Sequence, residues 1–245
     1  MKNQKPKNPF LLLCGTISKL ERSQRTHSFI LSDLQQRQVG ATAIAGSVMG
    51  MGAASVGLVG MAGNSDEEAE WVEFELDVKE IKGWLWMMPM RNGDNVEIVA
   101  EPMGNNRYTA YAVKRKSDDL LAVHPHATAG RKVHYRKSTK AWAWCSSLLF
   151  LFVTMALAID MGWEILLKKD IRYFFLISFL LWLSISAIIA FRVSRKLMAF
   201  VEIAELTFET FGWPDVENID LRKTSVENRR ENKLPNYGSL YFRYK

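Results

Sequence analysis

Two stretches of this chain, Ala141–Ile159 and Tyr173–Phe191, each run for 19 residues without a charged side chain. A helix rises 1.5 Å per residue, so each would cover roughly 28 Å, close to the hydrocarbon thickness of a bilayer. Neither stretch carries a polar stripe that could face water on a soluble protein. A chain of 245 residues also offers too little protein to bury two helices that are apolar all round. The expectation is a two-helix transmembrane hairpin over 141–191. Trp142, Trp144 and Trp163 near the ends of the first span, and Tyr173 at the start of the second, read as an interfacial aromatic belt.

Charge orients this hairpin. Arg131, Lys132, Arg136, Lys137 and Lys140 precede the first span with no acid among them, and Arg192, Arg195 and Lys196 follow the second. The connecting loop balances Lys168, Lys169 and Arg172 against Asp160, Glu164 and Asp170. Positive charge resists translocation, so both outer flanks are expected in the cytoplasm and the short loop outside. The apolar run Pro9–Cys14 is too short for a signal peptide and no small-residue cleavage site follows it, which keeps the N-terminus cytoplasmic as well. The localisation expected is the inner (cytoplasmic) membrane, multi-pass, with both termini inside.

Composition alone would have concealed this. A mean hydropathy of −0.08 is that of a soluble protein, and the averages hide how far apolar residues are bunched. The net charge of +6 is mostly topological, because the surplus hugs the spans, and nucleic-acid binding loses ground accordingly. Eight Trp exclude a wholly disordered chain. Two cysteines, Cys14 in a strand-like run and Cys145 in a span, exclude a disulfide scaffold.

The rest of the chain reads as a small β domain and a helix. Trp71–Val78 alternates Val72, Phe74, Leu76 and Val78 against Glu73, Glu75 and Asp77, the pattern of a half-buried strand. Ile81–Trp86, Val96–Ala100, Tyr108–Val113 and Leu120–Val123 follow, with turns at Gly93-Asp94-Asn95 and Asn105-Asn106; Leu12–Leu20 and His27–Leu31 add two strands upstream. Short strands at this spacing predict a small closed barrel, OB-like or SH3-like. Arg195–Phe211 reads as an amphipathic helix with Leu197, Phe200, Val201, Ala204 and Phe208 on one face, stopped by Gly212 and Pro214. Tyr237, Tyr241, Phe242 and Tyr244 in the tail suggest that the end docks back onto the molecule. The fold class expected is an α+β membrane protein. Its parts are N-terminal strands over 1–38, the rest of the barrel over 66–130, the hairpin (141–159 and 173–191), and a cytoplasmic amphipathic helix and tail over 192–245.

Between the strand groups, Val39–Gly63 holds 25 residues with no charge and almost nothing larger than Met. Gly46, Gly50 and Ala54 recur every fourth residue, as do Ala53 and Gly57, and small residues so spaced let helices approach closely in a bilayer. A third span, an interfacial hairpin and an insertion between strands all remain open. A permanent single span conflicts with the charges, because it would carry the cations of 131–140 outside. A membrane-associating hairpin or insertion is favoured.

Catalytic signals are poor. His124-Pro125-His126 with His134 has the residue types of a metal site, but no Cys or carboxylate completes it nearby and the stretch is cationic. Ala53-Ala54-Ser55-Val56-Gly57 only distantly imitates a nucleophile elbow. Asp160 and Glu164 sit at a membrane edge, where acids are ordinarily solvated. The expectation is no catalytic residue, no bound metal and no cofactor.

In order along the chain come Gly15–Ser18 (GTIS), the Gly/Ala stretch, Glu73–Trp86 (EFELDVKEIKGWLW), Gly93–Glu101 (GDNVEIVAE), the HPH at 124–126, Phe211–Leu221 (FGWPDVENIDL) and Tyr241–Tyr244 (YFRY). Together these motifs resemble the type VI secretion system effector family, bacterial membrane proteins encoded near the contractile injection machinery. The resemblance covers nearly the whole chain and transfers no active-site residue. It implies a non-enzymatic role in interbacterial antagonism: a membrane-perturbing effector or, alternatively, a cognate immunity or adaptor protein with the barrel as a protein-binding module. The partners implied are the lipid bilayer, a cognate toxin, immunity protein or secretion component, and a second copy of the chain, with no nucleic acid.

Overall fold

The computed structural model describes residues 8–26, 68–161, 169–232 and 242–244. They form two compact units: residues 1–130 with 199–245, and residues 131–198.

The first unit is organised by one long strand. β1 (Leu11–Thr26) pairs antiparallel through Leu11–Thr16 with β4 (Asn95–Gly104), and through Ile17–Thr26 with β2 (Glu68–Leu76). A strand changes partners midway only if it bends. The bend lies where the register shifts between Ser18 and Glu21, around Lys19 at φ 51°. Such a bulge increases the local twist and lets the strand coil round a barrel. β2 continues through the turn at Asp77-Val78 into β3 (Lys79–Leu85), and β4 turns at Asn105-Asn106 into β5 (Arg107–Arg115). Both asparagines have positive φ, the backbone that a tight two-residue hairpin requires. A parallel pairing of Ile81 with Tyr108 joins β3 to β5 and closes the ring β1-β2-β3-β5-β4. Closure leaves no free edge among these five strands.

The closure depends on Gly83. A Cβ there would stand 2.4 Å from the Ala110 carbonyl oxygen, so only glycine lets β3 come this close to β5. Inside the ring, Ile17, Val72, Phe74, Leu76, Ile81, Val96, Ile98 and Val113 form the core. The alternation read on β2 holds for Val72, Phe74 and Leu76. Val78 departs from it: Asp77, at φ 56°, ends the strand, and Val78 sits in the turn, 82% exposed. The upstream strand runs through Thr26 rather than ending at Leu20, and His27–Leu31 lie outside the described residues.

β6 (Leu120–Val123) extends the sheet from β5, and β7 (Phe242–Arg243) extends it from β6. Residues 199–245 group with the barrel in one compact unit. Helices are numbered in chain order, so the two long ones described below are α1 and α2. α3 (Met198–Thr210) buries Phe200, Val201, Ala204 and Phe208. It stops at Gly212, whose φ of 73° allows the amides of Gly212 and Trp213 to bond back to the Glu209 and Phe208 carbonyls. α4 (Leu221–Glu231) starts at Asp220, whose side chain accepts from the Lys223 amide. Phe242 is fully buried, and Trp213 stacks on Tyr244 at 4.0 Å. Tyr237 and Tyr241 lie outside the described residues.

The second unit is a pair of helices, α1 (Arg131–Met161) and α2 (Lys169–Lys196). Both run past the uncharged stretches 141–159 and 173–191, because Lys and Arg are good helix formers. Both are long and apolar enough to cross a membrane, with mean hydropathies of 2.0 and 2.5 over their most apolar windows.

Candidate functional site

The helices meet along one line. On α1, His134, Ser138, Trp142, Ser146 and Phe150 recur every fourth residue, and on α2 Phe179, Trp182, Ser186 and Ser194 answer them in antiparallel order. The Trp142 indole donates to Ser186 Oγ at 3.1 Å, Ser146 and Ser186 share a bond of 3.0 Å, and the Trp182 indole donates to the Ser146 carbonyl at 3.3 Å. Phe150 packs on Phe179 with ring centroids 4.8 Å apart. Residues i and i+4 share a helix face, so this spacing lays the polar groups in a single stripe. In lipid, whose chains are as apolar as leucine, two helices would gain little from burying apolar faces on each other, and such bonds and close packing would hold them instead.

This stripe is narrow, and neither charge nor mean hydropathy reveals it. The signal is nevertheless present in the sequence, as His, Ser, Trp and Ser at four-residue intervals from 134 to 146 and Trp, Ser, Ala and Ser from 182 to 194. It also corrects the reading of Trp142. The half-buried indole turns toward α2, whereas Trp144 and Tyr173 are exposed. Trp163 lies outside the described residues.

At one end of the pair, His134 Nε2 lies 2.9 Å from Ser194 Oγ and 3.2 Å from the Ser194 carbonyl oxygen. The Ser194 hydroxyl also turns to Ser138 Oγ at 3.4 Å, so the three side chains form a clasp between the helices. Next to it lies a groove of about 180 Å³, with Tyr135, Ser138, Thr139 and Ser194 toward the helix ends and Trp142, Ala187, Ala190 and Phe191 along its length.

The same end carries the cations singled out from the sequence. Arg131, Lys132, Arg136, Lys137 and Lys140 on the first turns of α1, and Arg192, Arg195 and Lys196 on the last turn of α2, are all exposed. The antiparallel pairing of His134 with Ser194 gathers the two groups into one collar. Arg195 sets its guanidinium 5.9 Å from the centre of the Phe191 ring.

The histidines of the HPH stretch do different work. His126 packs edge-on to Trp86 at 5.4 Å and against Phe200 of α3 at 5.1 Å, and His124 stacks on Phe200 at 6.4 Å. Phe10 stacks on Tyr111 at 4.5 Å, and the Tyr111 hydroxyl donates to Glu101 at 3.0 Å. Burial, with the Glu101 charge adding to it, pushes the Tyr111 hydroxyl up to about 12. This aromatic layer seats α3 on the barrel. Gly130 completes the joint, since a Cβ there would meet the Val216 carbonyl at 2.1 Å while its amide bonds to Ile219. A further clasp holds the tail: Arg115 grips Asp118 with two bonds of 2.9 and 3.0 Å and Asp94 with one of 3.0 Å, and Arg243 of β7 reaches Asp118 at 3.2 Å. The hydrogen bonds from Arg115 hold the Asp118 carboxyl below its ordinary range, and those bonds in turn raise Arg115.

Among the described residues, no group of three His, Cys, Asp or Glu side chains could hold a metal ion. Cys14 and Cys145 are both free and exposed. Gly46, Gly50, Ala54 and Gly57, with Ser55, Asp160 and Glu164, have no described side chains. No family model matches this chain, and no curated protein or solved structure matches it.

Proposed function

We propose that this chain is a non-enzymatic, multi-pass inner-membrane protein of type VI secretion, acting in interbacterial antagonism as a membrane-perturbing effector. The observation that carries the membrane part is the exposure of the long helices. Only 11% of the most apolar window of α1 and none of that of α2 is buried, while their polar groups face each other. A core helix of a soluble protein has the opposite arrangement. The cationic collar at one end supports an orientation with that end, and both termini, in the cytoplasm. The type VI assignment rests on the sequence resemblance.

The barrel restricts how the Gly/Ala stretch Val39–Gly63 can take part. Thr26 pairs directly with Glu68, so the two ends of the intervening segment lie side by side on neighbouring strands. Ends so placed support entry and return from one face of a membrane over a single span, which would carry the cations of 131–140 outside.

Five strands in a closed ring also support the OB-like form of the expected barrel. One feature favours the alternative reading, a cognate immunity or adaptor protein. The outer face of β2 and β3 presents half-buried Trp71 and Trp84, 5.2 Å apart, among Glu73, Glu75 and Glu80. Lys82 pairs with Glu73 and Glu80, and Lys19 with Glu75, and paired indoles rimmed by such ion pairs suit a protein partner. Expression of the full chain alone in a Gram-negative host, followed with a membrane-potential dye, tests the choice. An effector depolarises the cells. A harmless chain that protects cells from a neighbouring toxin moves the immunity reading ahead.

A further inference from the structure

We infer that the groove between α1 and α2 is a binding site for one anionic phospholipid, a deeper claim that rests on the helix pair being embedded in a bilayer. Depth is the first argument. α1 has 31 residues, about 46 Å of helix, against a hydrocarbon layer of about 30 Å. Its first ten residues, up to the uncharged run at Ala141, therefore stand outside the hydrocarbon, the last few of them in the headgroup layer, and the groove begins there.

The lining is graded as a lipid is graded. Tyr135, Ser138 and Ser194 bring hydroxyls to the end near the collar, at the level of a glycerol backbone and its esters. Trp142, Ala187 and Ala190 make the deeper part, and the two alanines leave the space that larger side chains would fill. A volume of about 180 Å³ holds roughly six water-sized groups, enough for the upper part of one acyl chain.

Charge selects the headgroup. Phe191 forms part of the wall, and the Arg195 guanidinium lies over its ring, so a fixed cation borders the groove. Lys196, Arg136 and Lys140 are exposed on the same turns, and no acid occurs in 131–140 or 192–197. A zwitterionic headgroup would bring its own cation into this field, whereas an anionic phosphodiester would not. Basic pockets between helices on the cytoplasmic side are suited to such headgroups.

The full chain, reconstituted in nanodiscs of equal parts phosphatidylcholine and phosphatidylglycerol, provides the test. Native mass spectrometry of the released protein should find one phosphatidylglycerol retained in preference to phosphatidylcholine. Arg195→Gln should weaken that preference about fivefold, the worth of one cation near an anionic headgroup. Ala190→Phe keeps every cation but fills the groove, and it should abolish retention. If Ala190→Phe retains the lipid as well as the parent chain does, the collar binds lipid diffusely and the groove is not a site. A photoreactive phosphatidylglycerol guards against a variant that merely misfolds. On the parent chain its label should fall on Tyr135, Thr139 or Phe191, and labelling confined to the outer faces of the helices overturns the proposal. Alkaline carbonate separates the two claims. A parent chain released from membranes by carbonate refutes the membrane reading and this site together, whereas a chain that stays embedded but retains no phosphatidylglycerol refutes the site alone.

Discussion

Val72, Phe74 and Leu76 on β2 are at most 3% exposed, whereas Trp144, Phe152 and Ile159 on α1 are between 66% and 71% exposed. The barrel and the helix pair draw on the same apolar residue types and turn them in opposite directions. In the barrel, apolar side chains point inward and charges such as Glu73, Glu75 and Lys82 point out. In the helix pair the seam carries His134, Ser146, Ser186 and Ser194, and the outside is apolar. Water drives the barrel closed by excluding its apolar faces. No such force would join the helices in the proposed bilayer, where the pair would rely on a few directed bonds along one line.

The sharpest way to break this comparison is to truncate one aromatic in each unit. Phe74→Ala should cost about 3–5 kcal/mol, the loss from emptying a packed core position. Phe152→Ala should change stability by less than about 0.5 kcal/mol, because its ring touches little protein. Glu73→Ala, on the outer face beside Phe74, falls between them. It loses a half-exposed ion pair of 2.8 Å with Lys82 and the bond from the Trp71 indole, a small loss because solvent screens the charges. Protease resistance of the full chain in detergent, measured against denaturant, would rank the three. Equal losses for Phe74→Ala and Phe152→Ala would mean that the outer face of α1 packs against protein.

A test of the seam has a smaller expected effect. Ser186→Ala removes the partner of both Trp142 and Ser146, at about 0.6–1.7 kcal/mol for interhelical bonds in a membrane. Ser184→Ala is the control, since its exposed hydroxyl bonds only to the Leu180 carbonyl of its own helix. Disulfide trapping between cysteines placed on the two helices would report the separation. If both serines prove equally dispensable, the stripe does not hold the helices together.

These differences bear on what the sequence could reveal. Period-two alternation made β2 plain, and the absence of charge over 19 residues made both long helices plain, because each pattern lies within one segment. The strand spacing made a closed barrel legible, but not how the ring closes. Closure depends on Gly83 meeting Ala110, on a bulge at Lys19 within a strand that looked shorter, and on a parallel contact between strands distant in sequence. The groove was hidden for a related reason, since Ala187 and Ala190 read as ordinary span residues until Tyr135 and Trp142 stand opposite them. His124 and His126 were legible as unusual residues, but their aromatic partner Phe200 lies more than seventy positions away. Val78 misled because alternation cannot see that Asp77 takes a turn conformation.

The smallest effect belongs to the clasp that ties the tail to the barrel. Asp118 accepts from Arg115 and Arg243, and these bonds hold its carboxyl below the ordinary value of 3.8. A depressed carboxylate contributes stability above its unfolded value and loses it as pH falls through the folded value, so docking of β7 should weaken only in acid. The side chains involved are 19–31% exposed, and solvent screening keeps each pair to about 1 kcal/mol or less. Hydrogen exchange at the amides of β6 and β7 should therefore accelerate modestly as pH is lowered from about 5 toward 2, after correction for the intrinsic rate. In Asp118→Asn the protection should be lower at neutral pH and change little with acid, because the titrating group is gone. Parallel loss of protection in the parent and Asp118→Asn chains would place the acid sensitivity elsewhere in the barrel. β7 would then be held by its pairing with β6, the stacking of Trp213 on Tyr244 and above all the burial of Phe242, the same inward turn of apolar surface that closes the ring.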